Sequence, residues 1–295
     1  MIYTLTFNPA LDYVMKTDNI ISGATNRSQT EEIFFGGKGI NVSFILNELG
    51  IKTTALGFIA GFTGAELEKT LKEYGINTDF VHLKKGMTRI NVKLKADAIT
   101  EINANGPAIE SDDISLLFEK LNKITDGDTL VLAGSIPSSI PKNIYETIFC
   151  RLQDKKIRFV VDAEGELLLA TLKYKPFLIK PNEDELSAIA GKPLINDEDI
   201  ITAAKELQEK GALNVLVSRG SKGAILIDEN GDVYKKAAHK INAVNTVGAG
   251  DSMVAGFLSS IEKGSNYALC LGSAAGAATA QTDGLAKKND IEKFL

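Results

Sequence analysis

Two hydrophobic patterns alternate along most of the chain. Short apolar runs at 53–58, 129–133, 158–162, 177–180 and 215–218 have the length and side-chain types of buried strands. Between them, segments at 65–74, 114–124, 144–153, 184–190 and 200–210 repeat apolar positions every three to four residues, as a helix with one buried face does. Such alternation predicts an α/β fold, a mostly parallel sheet with helices on both faces. In that architecture ligands bind at the carboxyl ends of the strands.

Two segments depart from the rhythm. Residues 13–35 and 89–102 alternate with period two and have no helix between their paired strands, and Ala96-Asp97-Ala98 marks a hairpin turn. They predict a small antiparallel sheet, spanning about 13–35 and 88–103, that stands off the main body. Such a sheet can serve as a lid that excludes water from a site beneath it, or as a contact between two copies of the chain. No repeat, low-complexity tract or long linker interrupts residues 1–295, which read as a single domain carrying this lid.

Composition narrows the partners. With 295 residues, 44% of them hydrophobic, the chain can bury a large core, and it is long enough to be an enzyme. Its net charge is −5 with the basic residues scattered, which argues against nucleic acid as a partner. Cys150 and Cys270 form no CxxC, and His82 and His239 have no neighbour at metal-ligand spacing. No basic leader and no apolar stretch of about 18 residues is found, so no membrane contact and a cytoplasmic location are expected.

The chemistry concentrates in small-residue turns that precede helices. Asn245-Thr246-Val247-Gly248-Ala249-Gly250-Asp251 leads into a helical run at 252–263. It combines free backbone N–H groups, the positive end of a helix dipole and a carboxylate able to take a proton. That combination suits phosphoryl transfer from a nucleotide to a hydroxyl. A dinucleotide fingerprint is the rival reading, but Met253 stands where its third small residue belongs. A second turn, Phe35-Gly36-Gly37-Lys38-Gly39-Ile40-Asn41, opens another helix and lacks the order of a P-loop.

Asp12 follows the first strand, where a short acid can accept sugar hydroxyls. Lys38, Arg89 and Arg27 together would make a cluster able to hold a dianion. Asn182 and Glu185 lie one helical turn apart at a helix start, a loose oxygen pair able to organise Mg²⁺ or simply an acidic N-terminus. The loop 217–224 offers small residues to a nucleotide's phosphates or ribose.

Five segments in this order, Asn8 to Asp12, Gly36 to Val42, Lys180 to Glu185, Val217 to Gly223 and Asn245 to Asp251, resemble the PfkB-type sugar kinases of the ribokinase-like fold. The resemblance covers nearly the whole chain. It implies a three-layer domain with a β lid, ATP and Mg²⁺ as cofactors, K⁺ as a further candidate, and a homodimer formed through the lid sheets.

Residue by residue, the resemblance implies Asp251 as base with Gly248, Ala249 and Gly250 as the anion hole. Asp12, Gly37, Gly39 and Asn41 would lie on the sugar, and Lys38, Arg89 and Arg27 on its phosphate. Lys180, Asn182, Ser218, Gly220, Gly223 and Val247 would contact ATP, with Asn182 and Glu185 near the metal. Lys38 and the run Thr88-Arg89-Ile90-Asn91-Val92-Lys93 are similar to the branch that phosphorylates O6 of fructose 1-phosphate. The branch acting on tagatose 6-phosphate shares most of these segments. Two positions depart from the pattern: Arg219, where an apolar residue is common, and Asp283-Gly284, a loose match to the segment closing the nucleotide and cation region. An idle sensor of the same ligands is the reading from another class, and ADP formation distinguishes it.

Overall fold

The computed structural model describes residues 1–295. Its central sheet runs in the order β14 (Val233–Lys236), β13 (Ala224–Ile227), β12 (Asn214–Ser218), β11 (Leu178–Ile179), β10 (Arg158–Asp162), β9 (Thr129–Ala133), β1 (Ile2–Thr6), β4 (Thr53–Ala60), β5 (Asn77–Thr78). The short strand β6 (Val81–Leu83) also pairs with β4. Neighbours from β12 to β5 are parallel, so their carboxyl ends share one edge, while β13 and β14 extend the sheet antiparallel.

Alternate residues of each strand feed opposite cores. Leu130, Leu132 and Val161 pack with Leu117 of α3 (Ser111–Leu121), Ile148 of α4 (Ile144–Leu152) and Ala203 of α7 (Asp197–Glu209). Val131, Val160 and Leu216 pack instead with Ile45 of α1 (Lys38–Glu48), Leu67 of α2 (Gly61–Glu73) and Phe257 of α8 (Ala249–Ser260). This is the helix, sheet, helix sandwich expected of strands buried on both faces. No helix is long and apolar enough to cross a membrane.

The second sheet has the order β3 (Thr30–Gly36), β2 (Ala10–Lys16), β7 (Arg89–Lys95), β8 (Ile99–Ile102). Its edge pairs are antiparallel as expected, and its central pair, β2 with β7, is parallel in the register Asp12 to Asn91. Both central strands leave the carboxyl edge of the main sheet, β2 just after β1 and β7 just after β6, so they run the same way. Asp12, Val14, Asn91, Lys93 and Lys95 occupy one face of this lid. Ile33, Tyr13, Val92 and Ile102 form a cross-strand row on the other, with Ile33 and Ile102 exposed.

Two features escape the periodicity of the sequence. Helix α9 (Ser265–Ala280) is buried on nearly all sides and therefore shows no polar stripe to give it away. It packs on α8 through glycines: a side-chain carbon at Gly256 would lie 2.7 Å from the Leu271 carbonyl oxygen, and one at Gly272 would lie 2.8 Å from that of Met253. The β13–β14 hairpin is short, and its outer strand alternates exposed and half-buried residues at the sheet edge. Because α8 and α9 touch backbone to backbone, Gly256→Val should force them apart and cost about 1–3 kcal/mol, read as a lower urea midpoint. An unchanged midpoint would mean that the contact is slack.

Candidate active site

Asp251 sits in the first turn of α8, after Gly248, whose φ of 80° places it in the left-handed region. It is only 5% exposed, and its Oδ2 accepts a hydrogen bond of 2.8 Å from Asn41 Nδ2 in the first turn of α1. Beside it, at the carboxyl end of β10, stands Asp162, 1% exposed. Lys38 Nζ and Lys180 Nζ lie 3.4 and 3.5 Å from Asp162 Oδ1, whereas Asp162 Oδ2 has no partner. Lys180 also lies under the turn before the acid, since a side-chain carbon at Gly250 would come within 3.0 Å of its Nζ. Lys38 and Asp251, distant in sequence, therefore belong to one buried charge cluster.

Burial dominates the titration of Asp251 and, with repulsion from Asp162, pushes its pKa up to about 7; Asn41, Lys38 and Lys180 oppose the shift. For Asp162 burial works in the same direction, but the charges and hydrogen bonds of Lys180 and Lys38 outweigh it and hold the carboxyl below its ordinary value. Burial alone would ease deprotonation of Lys38, and the negative charges of Asp162, Asp251 and Glu185 reverse this, raising its pKa. One acid is thus kept ionised and its neighbour poised near neutrality, the separation expected where one of them moves protons.

Two cavities flank the first turn of α1. The first, about 520 Å³, lies between the lid and the segments 243–247 and 283–287, and is lined by Asp12, Asn41, Lys93 and Val247 among others. The second, about 740 Å³, is lined by Lys38, Ser135, Ser138, Lys142 and Glu164 among others. On the lid wall both Asp12 oxygens are engaged: Oδ1 accepts from Asn91 Nδ2 at 2.9 Å and Oδ2 faces Lys93 Nζ at 2.9 Å. Arg89 is turned back on the main chain, donating to the carbonyls of Asn8 at 3.1 Å and Ala104 at 3.4 Å.

The expected dianion cluster of Lys38, Arg89 and Arg27 is not assembled within the chain. Arg27 lies in the exposed connection joining the far ends of β2 and β3, and Lys38 pairs with Asp162. Gly37 and Gly39 serve close packing on β1, because a side-chain carbon at either would come within 2.8 Å of the Thr6 side chain.

Asn182 and Glu185 close a capping box at the start of α6 (Glu183–Ala190). Asn182 Oδ1 accepts from the Glu185 amide at 2.8 Å, and Glu185 Oε2 accepts from the Asn182 amide at 2.9 Å. The Asn182 side-chain oxygen is thereby occupied. Asp162, with an orphaned Oδ2, and Glu185, with its second oxygen, are the better donors for Mg²⁺, which takes one or two carboxylates beside phosphates and water. Asp162 was absent from the expected site. Its only signal is a carboxylate ending an apolar strand, the signal that marked Asp12.

Ser218 ends β12, and the loop after it carries Gly220 and Gly223. Ser218 bridges to Asn182, and a side-chain carbon at Gly223 would lie 2.0 Å from the Lys236 carbonyl oxygen, so that glycine is required by the hairpin itself. Arg219, nearly buried, pairs with Glu183 at 3.0 Å and Asp197 at 2.7 Å. Val247 is exposed, its amide donating to Asn245 Oδ1, while Asn245 Nδ2 donates to the Asp283 carbonyl.

An acid at the positive end of a helix, with cations around the space before it, is an arrangement for moving a phosphoryl group. The sequence matches the pfkB family of carbohydrate kinases over residues 6–292, and the chain belongs to that family as a sugar-phosphate kinase. It is 42% identical over 297 residues to the 1-phosphofructokinase of Bacillus subtilis (strain 168), covering 100% of this chain and 97% of the relative. The D-tagatose-1-phosphate kinase of Bacillus licheniformis is 39% identical over 297 residues, with 100% and 96% covered. Among solved structures, phosphofructokinase-2 from Escherichia coli in complex with substrates and products matches with a TM-score of 0.94 at 31% identity, over 99% of this chain and 97% of that one. That enzyme has also been solved with potassium and in a tetrameric inhibited form.

The raised pKa of Asp251 makes stability depend on pH. The folded state keeps this proton to higher pH than the unfolded chain does. The stability it contributes is therefore complete below the unfolded value near 4 and is lost as pH rises through about 7. Asp251→Asn escapes that loss and should gain on wild type by more than about 1 kcal/mol between pH 4 and 8. Urea midpoints of both proteins across this range test it, and parallel curves would mean that Asp251 titrates at its ordinary value.

Proposed function

We propose that the chain transfers the γ-phosphoryl group of ATP to O6 of fructose 1-phosphate, giving fructose 1,6-bisphosphate, with Asp251 as general base. The observation that carries this reading is Asp251 itself: buried at the N-terminus of α8, poised near neutral pH, and bonded to Asn41 on the cleft wall. The 42% identity to a 1-phosphofructokinase over the whole chain supports the choice of acceptor. The 39% identity to a D-tagatose-1-phosphate kinase favours tagatose 1-phosphate as the second reading, since it too leaves O6 free beside a phosphate at C1.

On this reading Asp12, Asn41 and the Gly37–Gly39 turn hold the sugar, and Lys38 and Arg89 attract its phosphate. Lys180, Asn182, Ser218, Gly220, Gly223 and Val247 line the ATP side. Asp251 accepts the O6 proton as O6 bonds to the γ-phosphorus and the bond to the bridging oxygen of ADP breaks. The amides of Gly248, Ala249 and Gly250, at the positive end of α8, stabilise the negative charge on the moving group. Asp162 and Glu185 would hold Mg²⁺, which would supply charge neutralisation on the phosphates. K⁺ is a further cofactor on this reading, since the E. coli relative has been solved in complex with potassium.

The uncovered apolar row Ile33, Tyr13, Val92 and Ile102 is the face through which two lids pair into a homodimer, and a one-chain mass by sedimentation would exclude this.

Measuring kcat/KM of wild type and Asp251→Asn on fructose 1-phosphate, tagatose 1-phosphate, tagatose 6-phosphate and fructose 6-phosphate tests the assignment. Fructose 1-phosphate should be the best acceptor, and the variant should lose at least ~10²-fold in kcat on it. Preference for a 6-phosphate would reject the acceptor, and near-normal turnover by the variant would reject the base.

A further inference from the structure

We propose that Lys93 is a specificity-determining residue: by pairing with Asp12 it makes the sugar-holding wall of the cleft accept a phosphorylated ketose in preference to the unphosphorylated sugar. The proposal rests on the reading of Asp12 as the acid that takes sugar hydroxyls.

The geometry is set by the lid. Strands β2 and β7 run parallel with Asp12 opposite Asn91 and Val14 opposite Lys93, so Asp12, Asn91 and Lys93 share the face that lines the first cavity. From its position two residues along, Lys93 reaches diagonally back to place Nζ 2.9 Å from Asp12 Oδ2, a reach open to long side chains. Both partners are largely withdrawn from water, with side-chain exposures of 12% and 13%. The next lysine on that face, Lys95, is drawn away to Asp283 at 3.3 Å, which leaves Lys93 as the cation nearest this acid.

The pair solves a conflict within the site. A carboxylate is an effective acceptor for sugar hydroxyls, but it repels a sugar that carries a dianionic group. A ketohexose phosphate is so short that an acid holding its hydroxyls stands within about one Debye length, ~8 Å, of its phosphate. Pairing with Lys93 cancels the charge without exhausting the acceptor. A carboxylate has about four lone-pair sites, and Asn91 and Lys93 use one on each oxygen, leaving one on each for the ligand. A purely structural purpose for Lys93 explains less, because the two strands are already joined over seven residues by their ladder and by the Asn91–Asp12 bond.

The test compares kcat/KM on fructose 1-phosphate and on fructose, with KM for ATP and thermal midpoints, for wild type, Lys93→Met, Lys93→Arg and the double variant Asp12→Asn/Lys93→Met. Lys93→Met should lower the ratio of phosphosugar to free-sugar efficiency at least ~10-fold, by raising KM for the phosphosugar while KM for ATP holds within about twofold. Lys93→Arg should keep the ratio. Adding Asp12→Asn to Lys93→Met should recover it, although both rates fall as the sugar loses its acceptor. If Lys93→Met does not fold, Asp12→Asn alone supplies the answer, because an unopposed Lys93 should hold or raise the ratio. Equal losses on both acceptors, an unchanged ratio, or a wild type indifferent to the phosphate overturns the proposal. If wild type prefers another phosphosugar, the acceptor assignment fails while the ratio for that sugar and its unphosphorylated parent still decides the role of Lys93.

Discussion

A carboxylate held ionised between two lysines in the interior is the constraint on which the rest of this site depends. Asp162 is almost wholly withdrawn from water, and Lys38 and Lys180 converge on one of its oxygens. Such clusters are poor sources of stability, because removing charges from water costs about as much as their attraction returns. What the cluster provides is an electrostatic setting for Asp251. With Asp162 ionised and both lysines charged, the four groups sum to zero when Asp251 has lost its proton and to one positive charge when it has gained it. On the proposed reaction, gaining the proton makes the cluster one charge more positive as negative charge crosses toward the acceptor, which is when that charge stabilises most.

Holding four charged groups in register demands a rigid frame. Asp162 ends a strand in the middle of the parallel sheet, Lys180 follows the neighbouring strand, and Asn41 and Lys38 share one helical turn. Asp251 rides on α8, whose position is fixed by backbone contact with α9 at Gly256 and Gly272, where no side chain intervenes to yield. The opposite wall is built differently. Asp12, Asn91 and Lys93 stand on a four-stranded sheet tied to the body partly through the exposed pairs of Lys16 and Lys95 with Asp283. Surface pairs of that kind are weak, so they hold the lid to the body less firmly than the packed core holds the other wall.

How much of this was legible in the sequence follows from the range of the interactions involved. The sheet and most of its helices were readable because burial on both faces, or on one stripe, leaves a period in the residues themselves. Helix α9 left none because it is enclosed. Asp251, Asn41, Lys38 and Asp12 stand out as candidates from local motifs, at turns marked by their small residues. Asp162 was missed because a lone acid after an apolar strand acquires meaning only from Lys38 and Lys180, 124 residues before it and 18 after it. Arg27 was singled out because its residue type suits a phosphate, and within the chain it stands apart from Lys38, in the exposed connection between β2 and β3. Asn182 and Glu185 were recognised as a pair, but their spacing served the capping box, which the same three-residue interval permits.

Arg219 shows how a departure from a family pattern can be absorbed. A guanidinium at a position where an apolar side chain is common would place an uncompensated charge against the nucleotide loop. Here its two sides are taken by Glu183 and Asp197, each in the first turn of a helix, and Lys222 and Lys235 extend the network to the same two acids. Burial disfavours the cation, and these two carboxylates more than restore it, so its pKa lies above the ordinary value. The charge is thereby kept out of the cleft and converted into a clamp between the loop after β12 and the start of α6. Since Ser218, the residue before Arg219 at the end of β12, bridges to Asn182, and Asn182 is locked to Glu185, the clamp reaches the acids proposed for the metal. On the proposed reading, the nucleotide wall and the reaction centre are in this way one mechanical unit, while the lid carries the sugar.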